Sequence, residues 1–117
     1  WSMKPLEHAE KSVKRYGGHV DDYLPIHNLL DVSKSVHSDM RHRMILHNSL
    51  GPFLCEEAYG TYLTLDDGRK VSVRSVAEDH IIEDMGRIPN ASEFCHLVPE
   101  SEMFRFAKRP TRVVRID

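Results

Sequence analysis

One stretch of the chain alternates as a β-strand does, and it is bracketed by segments that do not. Residues 61–65, TYLTL, and 69–74, RKVSVR, flank Asp66-Asp67-Gly68, the pattern of a hairpin closed by a tight turn. A two-stranded hairpin alone is marginal in water, so the core must come from the helical segments around it. Residues 4–16 read as a first helix ended by Gly17-Gly18, which take the left-handed cap conformation cheaply. Asp21 or Asp22 caps a second, DYLPIHNLLDVSKSV, with Pro25 tolerated in its first turn. Ser38 or Asp39 caps a third, from Met40 to Tyr59, closed by Gly60 and kinked at Pro52. Ser75 with Glu78 forms a capping box for a helix over 76–85 ended by Gly86, and Asn90 with Glu93 repeats it before Pro99.

The fold expected is therefore mainly α: a compact bundle of four to five helices with one inserted β-hairpin, a single globular domain over 3–117. Trp1-Ser2 reads as a cloning remnant, and 110–117 as a basic tail. At 117 residues the chain is long enough to bury a core without staples. Its net charge of −2 gives no global drive toward nucleic acid or anionic membrane. The tail carries Arg105, Lys108, Arg109, Arg112 and Arg115, accompanied by Phe104 and Phe106 alone as aromatic neighbours; it predicts weak, salt-sensitive nucleic-acid binding at most. No apolar run reaches the roughly 20 residues of a membrane span. Cys55 and Cys95 form no CxxC and read as reduced thiols, which suits a bacterial cytoplasm.

The polar residues are the informative ones. At about 100° per residue, the third helix collects Met40, Met44, Leu46, Leu50, Phe53, Leu54, Cys55 and Ala58 on one arc. His47 and Arg43 fall inside that arc and His42 falls at its edge. Burying such groups without partners costs several kcal/mol, so they must meet acids, carbonyls, water or a metal. On the second helix His27 and Asp31 stand at i,i+4, and His80 and Asp84 repeat that spacing after the hairpin; side chains so spaced converge on one point. Four imidazoles and two carboxylates on three helices are the donor mixture favoured by Zn²⁺, Mn²⁺ or Fe²⁺.

Each observation also has a plainer account. A His/Asp pair at i,i+4 is commonly a solvated surface pair, a lone His47 a core histidine bonded to a carbonyl, and Arg43 the partner of an acid such as Glu78. His8, His19, His37 and His96 have no such partners and read as surface residues. The co-occurrence is what carries the metal reading. There is no P-loop, GxGxxG or GxSxG, and the Asp66-Asp67-Gly68 turn lacks the further ligands of an EF-hand.

The ordered motifs YGGHVDDYLPIH…D…SK, RHRMILHNSLG…E…G and VR…EDHIIEDMGRIP resemble a family of small uncharacterised phage and bacterial proteins, over roughly residues 8–90. The resemblance implies a helical domain with an inserted hairpin in a cytoplasmic or phage-infected setting, and no established activity. It would place the family's polar signature on His27, Asp31, Lys34, Arg41, His42, His47, Glu56, Arg74, His80 and Asp84. The helix-borne histidines and aspartates also look distantly like the HD phosphohydrolases, but the adjacent His-Asp dipeptide that defines that pattern is missing.

The residues thus predict a divalent-metal protein with ligands among His27, His42, His47, His80 and Asp84, which extends to hydrolysis of a phosphorylated compound. Asp31 would orient a ligand or act as base, and Lys34 or Arg43 would neutralise phosphate. The other reading is a non-enzymatic accessory module that binds a host protein, with the histidines and arginines as a structural network. Either a small molecule or a protein is then the partner, and self-association is compatible with both.

Overall fold

Helix α1 (Pro5–Tyr16) starts at a proline, whose fixed φ and missing N–H suit a first helical position, and Glu7 reaches back to the Lys4 amide at 3.4 Å. It stops at Gly17 and Gly18, both at positive φ (84° and 81°). A side chain at Gly18 would also meet Leu65 and the Asp22 carboxylate within 3 Å. The Tyr23 hydroxyl donates to the Gly17 carbonyl at 2.6 Å and ties this corner to helix α2 (Val20–Leu30). The computed structural model describes residues 3–35, 43–90 and 92–93. Its other elements are a 3₁₀ turn (Val32–Ser35), a single helical turn α3 (Arg43–Leu46), α4 (Leu50–Tyr59), β1 (Tyr62–Thr64), β2 (Lys70–Ser72) and α5 (Val73–Met85). Among the described residues the fold is four helices longer than one turn with one two-stranded antiparallel hairpin, the mainly α bundle expected.

Helix α1 packs on α2, α2 on α5 and α4, and α4 on α5. Ala9, Tyr23, Ile26, Leu30, Leu46, Cys55, Val76 and Ala77 form the apolar core. The hairpin pairs Tyr62 with Ser72, Leu63 with Val71 and Thr64 with Lys70, and Leu65, Val71 and Val73 carry that core to its inner face. No helix among the described residues is long and apolar enough to cross a membrane.

Four boundaries differ from the sequence reading. His19, not Asp21 or Asp22, is the N-cap of α2; the Asp22 carboxylate instead accepts the His19 amide at 2.8 Å. That helix ends at Leu30 rather than running to Val36. Asp31 caps it, with its amide shared between the His27 and Asn28 carbonyls, and the Ser35 hydroxyl bonds the Val32 carbonyl at 2.7 Å. Such side-chain competition favours turns over helix interiors.

The third helix is not one kinked rod but two pieces. The Asn48 carboxamide accepts the Leu50 amide at 2.8 Å, and the Ser49 amide leaves the helix to bond the Pro89 carbonyl at 2.9 Å. An added Cβ at Gly51 would lie 2.0 Å from the Leu46 carbonyl oxygen, so only glycine permits this sharp turn. Pro52 then falls in the first turn of α4, where its missing donor costs nothing. Finally, α5 starts at Val73 on a Ser72 cap that accepts the Ser75 amide at 3.2 Å, rather than on a Ser75/Glu78 box. The Asn90 and Glu93 pair does make reciprocal bonds (3.3 and 3.0 Å). The rest of that segment, the basic tail, His37, His42 and His96 lie outside the described residues, as does the side chain of Arg43.

Candidate metal centre

Helices α1, α2 and α5 and the break before α4 each send a histidine to one place. His8, His27, His47 and His80 are all fully buried. From α2 come His27 and, at its C-cap, Asp31; from α5 come His80 and Asp84, one turn apart; His47 comes from the residues between α3 and α4. His47 owes its burial to the chain break and not to the face of a continuous helix.

Four donors surround one point: Asp31 Oδ1, His47 Nε2, His80 Nε2 and Asp84 Oδ2. His47 lies 2.9 Å from Asp84 and 3.5 Å from Asp31, while His80 lies 3.4 Å from each. The two imidazole nitrogens are 3.1 Å apart. A tetrahedral ion with bonds of about 2.0–2.1 Å spaces its donors about 3.3–3.4 Å apart, so the spacings fit an ion of that size. The chemistry fits too. Two carboxylates and two neutral imidazoles balance a divalent charge, and Asp31 Oδ2 is buried without a hydrogen-bond partner among the described residues. Burial alone would raise the Asp84 carboxyl, but His47, His8 and His80 hold it far below the usual carboxylate range. Asp31 is likewise lowered against its burial, through His80 and His47. His47 itself is lowered by burial, which favours the neutral ring that a metal requires.

His27 and His47 approach opposite nitrogens of the His80 ring. His27 Nδ1 stands 2.9 Å from His80 Nδ1, while its Nε2 is 2.8 Å from the Ser12 hydroxyl. The three imidazoles therefore face two points rather than one. Burial, then His80 and His8, push the His27 pKa down to about 3.

His8 was expected at the surface, and it is buried. Its ring stacks on His80 with centroids 3.7 Å apart, its Nδ1 lies 2.7 Å from Glu83 and its Nε2 3.2 Å from Asp84. Burial works to lower its pKa, but the two carboxylates outweigh that and hold it up at about 9. His8, His27 and His80 also offer ring nitrogens close enough for an ion. We favour the four-donor group, because a His8 charged between two carboxylates has no lone pair to give. Hydrophobic periodicity missed His8 and Ser12 because the inward face of α1 is built from small and polar residues. Their signal was the complement: Glu7, Glu10, Lys11, Lys14 and Arg15 crowd the other faces, leaving His8, Ala9 and Ser12 to point inward.

Lys34 is partly exposed, with its Nζ 3.9 Å from Asp31 Oδ2. His19 is on the surface as expected, 3.4 Å from the exposed Asp66. Arg74 bonds Glu56 at 2.7 Å in an exposed pair away from the cluster. No curated protein and no solved structure matches the chain. Over residues 3–104 it does match a family model described as a domain of unknown function, and on that match the chain belongs to the DUF6915 family.

Proposed function

We propose that this protein is a metalloprotein that holds one divalent cation between Asp31, His47, His80 and Asp84, with Zn²⁺ the first candidate and Mn²⁺ and Fe²⁺ next. The observation that carries the reading is the set of near-equal spacings, 2.9–3.5 Å, among buried donors of opposite ends of the chain. Without a cation, two buried carboxylates converge on two imidazoles with one proton to share, an arrangement whose desolvation is poorly repaid. His27 belongs beside this set, and His42 is kept as a further donor from the neighbouring segment.

Four protein donors fill a tetrahedral ion, so an ion here would lower the pKa of water or polarise a phosphoryl group only through an added coordination position. Of the four donor side chains that of Asp31 is the most exposed (6%, against 2% for Asp84), and Lys34 stands next to it. That pairing supports approach of an anionic, phosphorylated compound from this edge, with Asp31 holding the ion and Lys34 as countercharge; Arg43, whose side chain lies outside the described residues, is kept as a second countercharge. If the ion is purely structural, the protein is instead an accessory module that binds another protein, and the same ligands serve its fold.

Metal analysis of protein purified without a His-tag is the test. About one equivalent of metal, with a melting temperature that rises when Zn²⁺ is restored to stripped protein, is the expected result. Stripped protein whose melting temperature ignores Zn²⁺, Mn²⁺ and Fe²⁺ would overturn the reading. Turnover of a generic phosphomonoester by loaded protein, lost in Lys34→Ala, separates the hydrolase from the structural ion.

A further inference from the structure

We infer that the outer edge of β1 is a self-association surface, where a second copy of this chain pairs antiparallel to it about a twofold axis at Leu63. The strand itself supplies both the hydrogen-bonding groups and the register.

Two bonds fix which amides face outward. The Leu65 amide donates to the Arg69 carbonyl at 2.8 Å, and the Val73 amide to the Thr61 carbonyl at 3.0 Å. Bonded and non-bonded pairs alternate along an antiparallel ladder, so Leu63 and Val71 form the bonded pair between these two. The N–H and C=O groups of Tyr62 and Thr64 then point away from β2, and among the described residues nothing bonds them. Such an edge is a template for another strand unless it is blunted. The β2 edge is blunted: Arg69, Lys70 and Arg74 place positive charge on or beside it. Thr61 to Leu65 carry no charge and no proline. Like charge therefore opposes β2 against β2, and β1 is the edge left to pair.

A twofold axis at Leu63 sets Tyr62 opposite the partner's Thr64, and Thr64 opposite the partner's Tyr62. All of these residues turn their amides outward, so each pair exchanges both of its amide–carbonyl bonds. On the inner face the half-buried Leu63 meets the partner's Leu63 and extends the apolar row that buried Val71 begins. On the outer face Tyr62, 57% exposed, lies beside the partner's Thr64, and an aromatic next to a β-branched residue is a favourable cross-strand pair. Pairing β1 with β2 of another copy would leave an edge open at each end and grow without closing. The twofold is the arrangement that closes. A contact built on a three-residue strand belongs with interfaces under roughly 1,200 Å², so the dimer is weak and reversible.

Sedimentation velocity of the intact chain over a range of concentrations tests the surface. The expected mass rises reversibly from that of one chain toward that of two. A chain that stays monomeric up to about 1 mM would overturn the proposal; growth beyond two copies would assign the contact to β1 on β2 and overturn the twofold. Thr64→Pro removes an outward N–H that the hairpin does not use. It should weaken the dimer about 10–100-fold, through one bond lost in each copy, and a dimer of undiminished strength would refute the edge pairing. Tyr62→Lys and Tyr62→Glu change only an exposed side chain, and they carry the test should the proline disturb the hairpin. The two Tyr62 positions lie on a diagonal of the twofold, about 7–8 Å apart. Each variant alone should therefore dimerise less than the parent, and an equimolar mixture of both should recover the dimer. A mixture no stronger than either variant alone would overturn the register.

Discussion

The His80 ring divides the buried cluster into two halves that solve the same problem differently. On the α1 side, His8 sits between Glu83 and Asp84 at 2.7 and 3.2 Å, and one imidazolium neutralises the carboxylate it meets. Arg15 backs this half from the surface, 2.9 Å from Asp79 and 3.4 Å from Glu83. On the α2 side, Asp31 and Asp84 meet His80 and His47, the latter kept neutral by burial. The first half is complete within the chain. The second has donors in excess of protons, which is the condition of a cation site. Charge balance, rather than the number of histidines, distinguishes a structural ion pair from a metal centre.

Asp84 belongs to both halves, so its loss should be the largest single effect. Asp84→Asn should abolish metal binding and leave His8 with Glu83 alone. We expect it to destabilise metal-free protein by about 3–5 kcal/mol in urea unfolding, as when one partner of a buried pair is removed. A loss under 1 kcal/mol would mean that the halves are not joined through this carboxylate.

His47→Ala strikes the metal half alone. It should remove most bound metal and cost on the order of 1–3 kcal/mol from unpaired partners, whereas His19→Ala, at an exposed position, should change neither metal content nor unfolding. Retention of metal by His47→Ala would shift the site toward the three-histidine group of His8, His27 and His80.

The two halves should also have opposite pH limbs in the metal-free protein. The His8 pKa is raised from 6.5 to about 9, so its contribution is fully present below pH 6.5 and is lost as pH rises toward 9. The His27 pKa is lowered from 6.5 to about 3; protonation then favours the unfolded chain, and stability falls as pH drops below 6.5. Urea midpoints across this range should peak near pH 6.5. His8→Gln should flatten the alkaline limb and His27→Gln the acid one; a limb that survives its own substitution would assign it elsewhere.

The smallest effect should come from Lys34→Ala. Its contact with Asp31 is long and partly exposed, so stability should change by less than about 1 kcal/mol. A larger loss would place Lys34 within the charge balance of the metal half.

Much of this was legible in the sequence. The i,i+4 pairs His27/Asp31 and His80/Asp84 identified the two helix faces that converge, because that spacing is dictated by the helix itself. Gly17-Gly18, Gly60 and Gly86 marked three helix ends, and the hairpin turn announced itself. His47 was singled out for the wrong geometric reason. The arc that buried it assumed a continuous helix, and Asn48, Ser49 and Gly51 break it.

What the sequence by itself determined is local: which segments coil, where glycine or proline stops them, and which side chains share a face. Those properties follow from short-range sterics and helical pitch, which any isolated segment obeys. The tertiary structure alone decided that His8 is buried, that His27 addresses one nitrogen of His80 and His47 the other, and that Asp84 faces both halves. Such facts depend on where α1, α2 and α5 meet, and pairings between residues as distant as Met3 and Asp84 leave no periodic trace in the chain.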